Sequence, residues 1–178
     1  MLSGAEVYER EREVSADAAA GHAGDIHRFI SDASARCVYL ITFRRDGRPV
    51  SRPVAAWVDG WTIHTITQAV HVKTSHVRHH PTVGYLFVGL EPYQTTSPAP
   101  HLKNVWVEGH AELVEERAAI DAFYERRREV TGRGDPHAGD AGWRPLLISV
   151  APRYLRAEGF AEGLHPVVLR EGAFGPQR

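Results

Sequence analysis

Apolar residues recur along this chain mostly with a period of two, in short runs punctuated by Gly, Pro and Asp, and that pattern predicts a mainly β protein. CVYLITF over 37–43 is β-branched and aromatic and reads as the first strand. RRDGR follows, with Asp46-Gly47 as a hairpin turn. PVSRPVAAWV over 49–58 then alternates so that Val50, Arg52, Val54, Ala56 and Val58 share one face. After a second turn at Asp59-Gly60, WTIHTIT over 61–67 puts Trp61, Ile63, Thr65 and Thr67 on one face, with Thr67 ending the strand. Further strands are expected over 83–88, 104–115, 146–150 and 154–158, and Gly109 inside one of them marks a bulge or a close backbone approach.

Helical spacing appears in three places. Ile26, Phe29, Ile30 and Ala33 fall on one face over 25–36, and Ile120, Phe123 and Tyr124 do so over 116–130. Residues 73–80, KTSHVRHH, allow about two turns opened by Lys73 and stopped by Pro81. Strands in a meander with helices inserted, rather than alternating βαβ units, give an α+β antiparallel barrel with flanking helices. Residues 1–23 read as an extension, disordered or laid on a partner subunit, 24–160 as the barrel domain, and 161–178 as a tail without readable pattern. Residues 89–101, GLEPYQTTSPAPH, form a Pro- and Thr-rich loop of a length that often carries function.

Composition narrows the classes. With 178 residues and 43% hydrophobic content the chain is one domain that buries ~70% of its unfolded surface. A net charge of -1 supplies no field that draws nucleic acid. Cys37 is the lone cysteine, and the opening MLSGAEVYEREREV carries charges where a signal peptide needs an apolar run, so the expected compartment is the cytoplasm. VYLITF and VGYLFVGL are too short to span a bilayer, and no membrane association is expected.

Candidate chemistry centres on two cations. Lys73 is one of only two lysines, with Lys103, among 21 basic residues, and it stands at a loop-to-helix junction. The first N–H groups of a helix lack internal partners and sit at the positive end of its dipole, so such a junction suits a phosphate. Arg52 is the odd residue on an apolar face; its guanidinium either snorkels to water or meets an anion. His71, His76, His79 and His80 cluster without an HExxH pattern or carboxylates at ligand spacing. They read as solvent-facing, and no metal site is expected. No GxSxG elbow supports a serine nucleophile. Trp57, Trp61 and Trp106 are core by default or else cofactor walls, and Gly84 allows close backbone packing.

DGRPVSRPV, TITQAVHVKTSHVRHHPTVGYLF and VWVEGHAELVE together resemble the pyridoxamine 5'-phosphate oxidase-like family of split β-barrel flavoproteins. The resemblance runs over residues 38–114, with a weaker echo in LLISVAPRYLRAEG. It implies a homodimeric split barrel that binds FMN between subunits and performs redox chemistry on a small molecule. Arg52 and Lys73 match the family's phosphate ligands, Thr67 and Gln68 its strand-end residues beside the ribityl phosphate, and Val54 and Ala55 the backbone under the flavin ring. Trp106 and the 89–101 loop match wall residues from either subunit. Where the family often has Ser-Arg-Lys, this chain has His71-Val72-Lys73, one phosphate donor fewer. The alternatives are a deazaflavin-dependent reductase on the same fold and a non-catalytic flavin or haem binding protein, with the clustered histidines as contacts to a flavin edge or as haem ligands. The C-terminal arginines of the name-giving enzyme are not found, so vitamin B6 oxidation is not expected, and the resemblance names no catalytic residue.

Overall fold

The computed structural model describes residues 13–32, 36–93, 101–135, 140, 142–162 and 165–174. Among them the chain runs α1 (Ala16–Ser31), β1 (Arg36–Phe43), β2 (Pro49–Pro53), β3 (Trp57–Asp59), β4 (Thr62–Gln68), α2 (Val72–His79), β5 (Thr82–Tyr93), β6 (His101–Val114), α3 (Arg117–Thr131), β7 (Pro145–Glu158) and β8 (Val167–Arg170). None of these helices is long and apolar enough to cross a membrane.

All strand pairs are antiparallel, in the order β2-β1-β5-β6-β7-β4-β3, with β8 beside β7. The two strands at the ends of that order, β2 and β3, are consecutive in sequence and joined by residues 54–56 alone. Three residues span at most ~11 Å, so the sheet has to curl until its edges meet. The result is a split β-barrel. Pro49 and Pro53 cannot donate to a ladder and therefore suit β2 to its edge position. The expected single strand over 49–58 is instead two: β2 leaves β1 at Pro53 and the chain crosses to pair β3 with β4. Its alternation survives the break, since Val50, Arg52, Val54 and Ala56 are half-buried and Val58 is buried, while Ser51, Pro53 and Ala55 are exposed.

Inward positions fill the barrel with Leu40, Ile63, Val83, Tyr85, Phe87, Val105, Val107, Ile148, Val150 and Leu155, all buried. The Tyr85 hydroxyl is satisfied by Thr65 Oγ1 at 2.8 Å, and burial pushes its pKa up. On the outside, Ile120 and Tyr124 of α3 close over Leu147. Ile26 and Ile30 of α1 are fully buried in the main core, and α1 packs on β8 and β3.

Helix α1 begins nine residues before the expected start and stops at Ser31 rather than Arg36. Ser15 accepts a cap bond from the Ala18 N–H at 3.4 Å, and the alanine-rich stretch after it is strongly helix-forming but carries no large apolar residue to mark a period. Asp32 is already extended, while Ala33 lies outside the described residues. The two short strands expected near the C-terminus are one, β7, and the supposed tail supplies β8, which pairs with its second half. Residues 94–100 of the Pro-rich loop also lie outside the described residues, and residues 89–93 belong to β5.

Gly109 meets both parts of its expectation. Glu108 pairs with Tyr154 and Gly109 with Pro152, so Arg153 is an extra residue on β7, a bulge, and a Cβ at Gly109 would run into the backbone of Ala151. Gly84 differs: a Cβ there would strike the Trp106 indole, so it makes room for a side chain and not for backbone. Because carbonyl 151 is held by the β6–β7 ladder, Gly109→Ala is expected to lower stability by ~1–3 kcal/mol, read as a lower urea midpoint at unchanged slope.

Candidate functional site

One end of the barrel collects polar side chains from four elements. Arg52 on β2 pairs across the ladder with Leu40, which places it on the inward face beside Thr42. Since β2 is an edge strand, the guanidinium is half-buried, and its Nη1 donates to Thr42 Oγ1 at 3.3 Å. Thr42 is fully buried and also lies 2.9 Å from His76 Nδ1. Its one hydroxyl proton needs an acceptor, and a guanidinium offers none, so the hydroxyl accepts from Arg52 and donates to His76. That places the imidazole proton on Nε2. Burial holds His76 below the ordinary imidazole range, the charges of Arg52 and Arg44 add to this, and Asp46 opposes it. The neutral ring is thereby favoured over the imidazolium.

Thr67, on the inward face near the end of β4, is buried with its Oγ1 2.9 Å from His71 Nδ1. The Gln68 carbonyl accepts from the His71 N–H at 3.1 Å and from Thr74 Oγ1 at 2.7 Å, which pins the start of α2 to the end of β4. No side chain caps α2; the Thr74 N–H donates to the His71 carbonyl at 3.0 Å, and those of Val72 and Lys73 are left to water or a ligand. Lys73 sits in that turn, half-buried. Burial, and after it the Arg52 charge, holds its ammonium below the ordinary value. Neither Arg52 nor Lys73 has a carboxylate partner among the described residues. Two partly buried cations that repel one another, beside free helix N–H groups, make a place for an anion.

The remaining predicted residues are placed differently. The Val54 N–H is committed to the Val38 carbonyl at 2.9 Å and its side chain packs on the core, while Ala55 is exposed on the crossing between edges. Trp106 lies between the buried Val105 and Val107, so it points out of the barrel, away from Thr42 and Thr67. Its indole covers Gly84 and its N–H donates to Glu108 at 2.9 Å. Of the clustered histidines, His71 and His79 are exposed, His80 is half-buried and His76 is buried, so the expectation of a solvent-facing set fails at His76. The charged residues of α2 hid its buried side, formed by Thr74, His76 and Val77. Thr42 was legible as an inward position of CVYLITF, yet no sequence rule attaches a role to it. No group of His, Cys, Asp or Glu able to hold a metal occurs among the described residues.

A cavity of about 390 Å³ lies on the outer side of β3, β4 and β7 under α3, walled by Trp57, Val114, Phe123 and Leu147 with Asp59, His64, Arg126 and Ser149. Phe123 lies 5.8 Å from the His64 ring. Nδ1 of His64 is buried with no hydrogen-bond partner, and burial lowers the pKa of the ring while Asp59 raises it.

An antiparallel split barrel with a cation-lined corner defines the class. Residues 25–151 match the family model described as pyridoxamine 5'-phosphate oxidase, and the chain belongs to that family. A conserved hypothetical protein of Mycobacterium tuberculosis is 25% identical, with 76% of this chain and 82% of that one covered at a TM-score of 0.61. A pyridoxamine 5'-phosphate oxidase-related, FMN-binding protein of Nostoc punctiforme is 14% identical, with coverage of 78% and 82% and a TM-score of 0.55. An F420 reductase is 17% identical, with coverage of 72% and 94% and a TM-score of 0.53. The last two share the fold. No curated protein matches the chain.

The depressed imidazoles fix a pH dependence. Below their ordinary value of 6.5 the unfolded chain binds protons that folded His64 and His76 resist, so stability falls with acid from there down to the lowered folded values. The melting temperature is expected to drop between about pH 7.5 and about pH 5, and to drop less in His76→Asn, which cannot titrate.

Proposed function

We propose that this chain is an FMN-binding oxidoreductase acting on a small molecule, working as a cytoplasmic homodimer. The observation that carries the reading is the pair Arg52 and Lys73, half-buried and without carboxylate partners, at the uncapped start of α2. Those residues fit a phosphate monoester: two cations and the N–H groups of Val72 and Lys73 supply donors to a dianion. Arg52 and Lys73 would hold the phosphate, with Thr67 and Gln68 beside it. Ala55 and Val54 would lie under the ring through their remaining backbone groups, and Trp106 would serve as a wall contributed across the dimer. When bound, the isoalloxazine supplies hydride transfer, and the protein supplies anchoring and orientation.

The cavity supports a substrate site beside the crossing. It begins at Trp57, two residues and therefore within ~7 Å of chain from Ala55, and its mixed apolar and polar walls suit a small organic molecule. This supports chemistry in which the cofactor reacts and the chain binds, with no acid or base assigned.

Titration with FMN, riboflavin, deazaflavin coenzyme and haem, followed by ring fluorescence or the Soret band, tests the reading. FMN is expected to bind tightest. Arg52→Ala and Lys73→Ala are each expected to weaken FMN by ~1–3 kcal/mol while leaving riboflavin, which lacks the phosphate, unchanged. Preference for deazaflavin or haem would keep the fold and move the function to that branch, and unchanged FMN affinity in both variants would remove the phosphate assignment.

A further inference from the structure

Resting on that phosphate reading, we propose that His76 is a positioning residue: through the Thr42 hydroxyl it holds the Arg52 guanidinium in place for the phosphate, and only its neutral form does so. Three elements meet for this one chain of bonds, α2 giving His76, β1 Thr42 and β2 Arg52. Packing alone gives no reason for it, since valine has the shape of threonine and would fill the fully buried position 42 without a polar atom to satisfy.

The direction of the bonds makes the chain conditional. The hydroxyl gives its proton to His76 Nδ1 at 2.9 Å and receives Arg52 Nη1 at 3.3 Å, which leaves the other guanidinium N–H groups for a ligand. A second proton on the ring would sit on Nδ1. Thr42 would then face two donors, and its own hydroxyl proton would lose its acceptor inside the protein. The charges around the ring work against that state: Arg52 from β2 and Arg44 from the β1–β2 turn oppose protonation, as does His79 on the same helix. Asp46 alone favours it, and Asp46 is held by Arg48 through bonds of 2.8 and 3.1 Å. Nearby, Arg78 and Glu115 are paired with each other at 3.0 Å.

The full-length protein with ¹⁵N-labelled histidine shows the tautomer directly. The expected spectrum has the His76 proton on Nε2 and Nδ1 as an acceptor at neutral pH, and a proton on Nδ1 would overturn the proposal. Affinities for FMN and riboflavin are then compared at about pH 7.5 and about pH 5.5 in wild type, His76→Asn and His76→Leu. Asparagine offers an acceptor near the Nδ1 position and cannot titrate; leucine offers none. The FMN phosphate itself takes a proton near about pH 6, so the effect of His76 is the difference between wild type and His76→Asn, which share that ligand contribution. Wild type is expected to lose about tenfold more FMN affinity in acid than His76→Asn, and His76→Leu to be about tenfold weaker at both pH values, with riboflavin unmoved throughout. Parallel acid curves, or riboflavin weakening alongside FMN, would overturn the proposal while leaving the cofactor reading intact. Binding of neither flavin would overturn both.

Discussion

The three-residue crossing from β2 to β3 is the constraint on which the rest of this structure depends. It ties together the two edges of one long antiparallel sheet, so closure follows from chain length and not only from what fills the interior. Closure gives Thr42, Arg52, Thr65 and Thr67 a common inward side although they come from three strands. It also exposes Ala55 at the seam, where neither ladder needs its side chain. The candidate site is a by-product of that geometry: a barrel must end somewhere, and at this end the inward residues turn from aliphatic to hydroxyl and cationic.

Positive charge at that end costs stability in the empty protein. Arg52 lies close enough to act on both Lys73 and His76, and no ion pair of α3 or of the β1–β2 turn takes either cation as a partner. Such an arrangement is retained when an anion returns more than the repulsion removes. The hydrogen bonds of Thr74 and Thr67 act in the same sense, since they fix where α2 begins relative to β4 before any ligand arrives.

Legibility in the sequence followed physical locality. Alternation and turn residues carried the strands and both hairpins, because period two and a positive φ at Gly47 and Gly60 are decided within a few residues. Arg52 and Lys73 stood out for the same reason, each breaking a local pattern. What stayed hidden was non-local. Alanines 16, 18, 19 and 20 form a helix without a readable period, β8 is a strand only because β7 has a free edge, and His76 is buried only because β1 lies beneath α2. No rule applied to residues 71–80 alone distinguishes His76 from His79.

Strand β7 takes part in three ladders at once: its first half joins β4 and β6, and its second half joins β6 and β8. During synthesis, β4 therefore waits with an unpaired edge until residues 145–158 have left the ribosome, some eighty positions later, and β6 waits with it. Until β7 arrives the sheet cannot close, and that half-made species, with its open edges, is the one most in need of chaperone cover against edge-to-edge pairing.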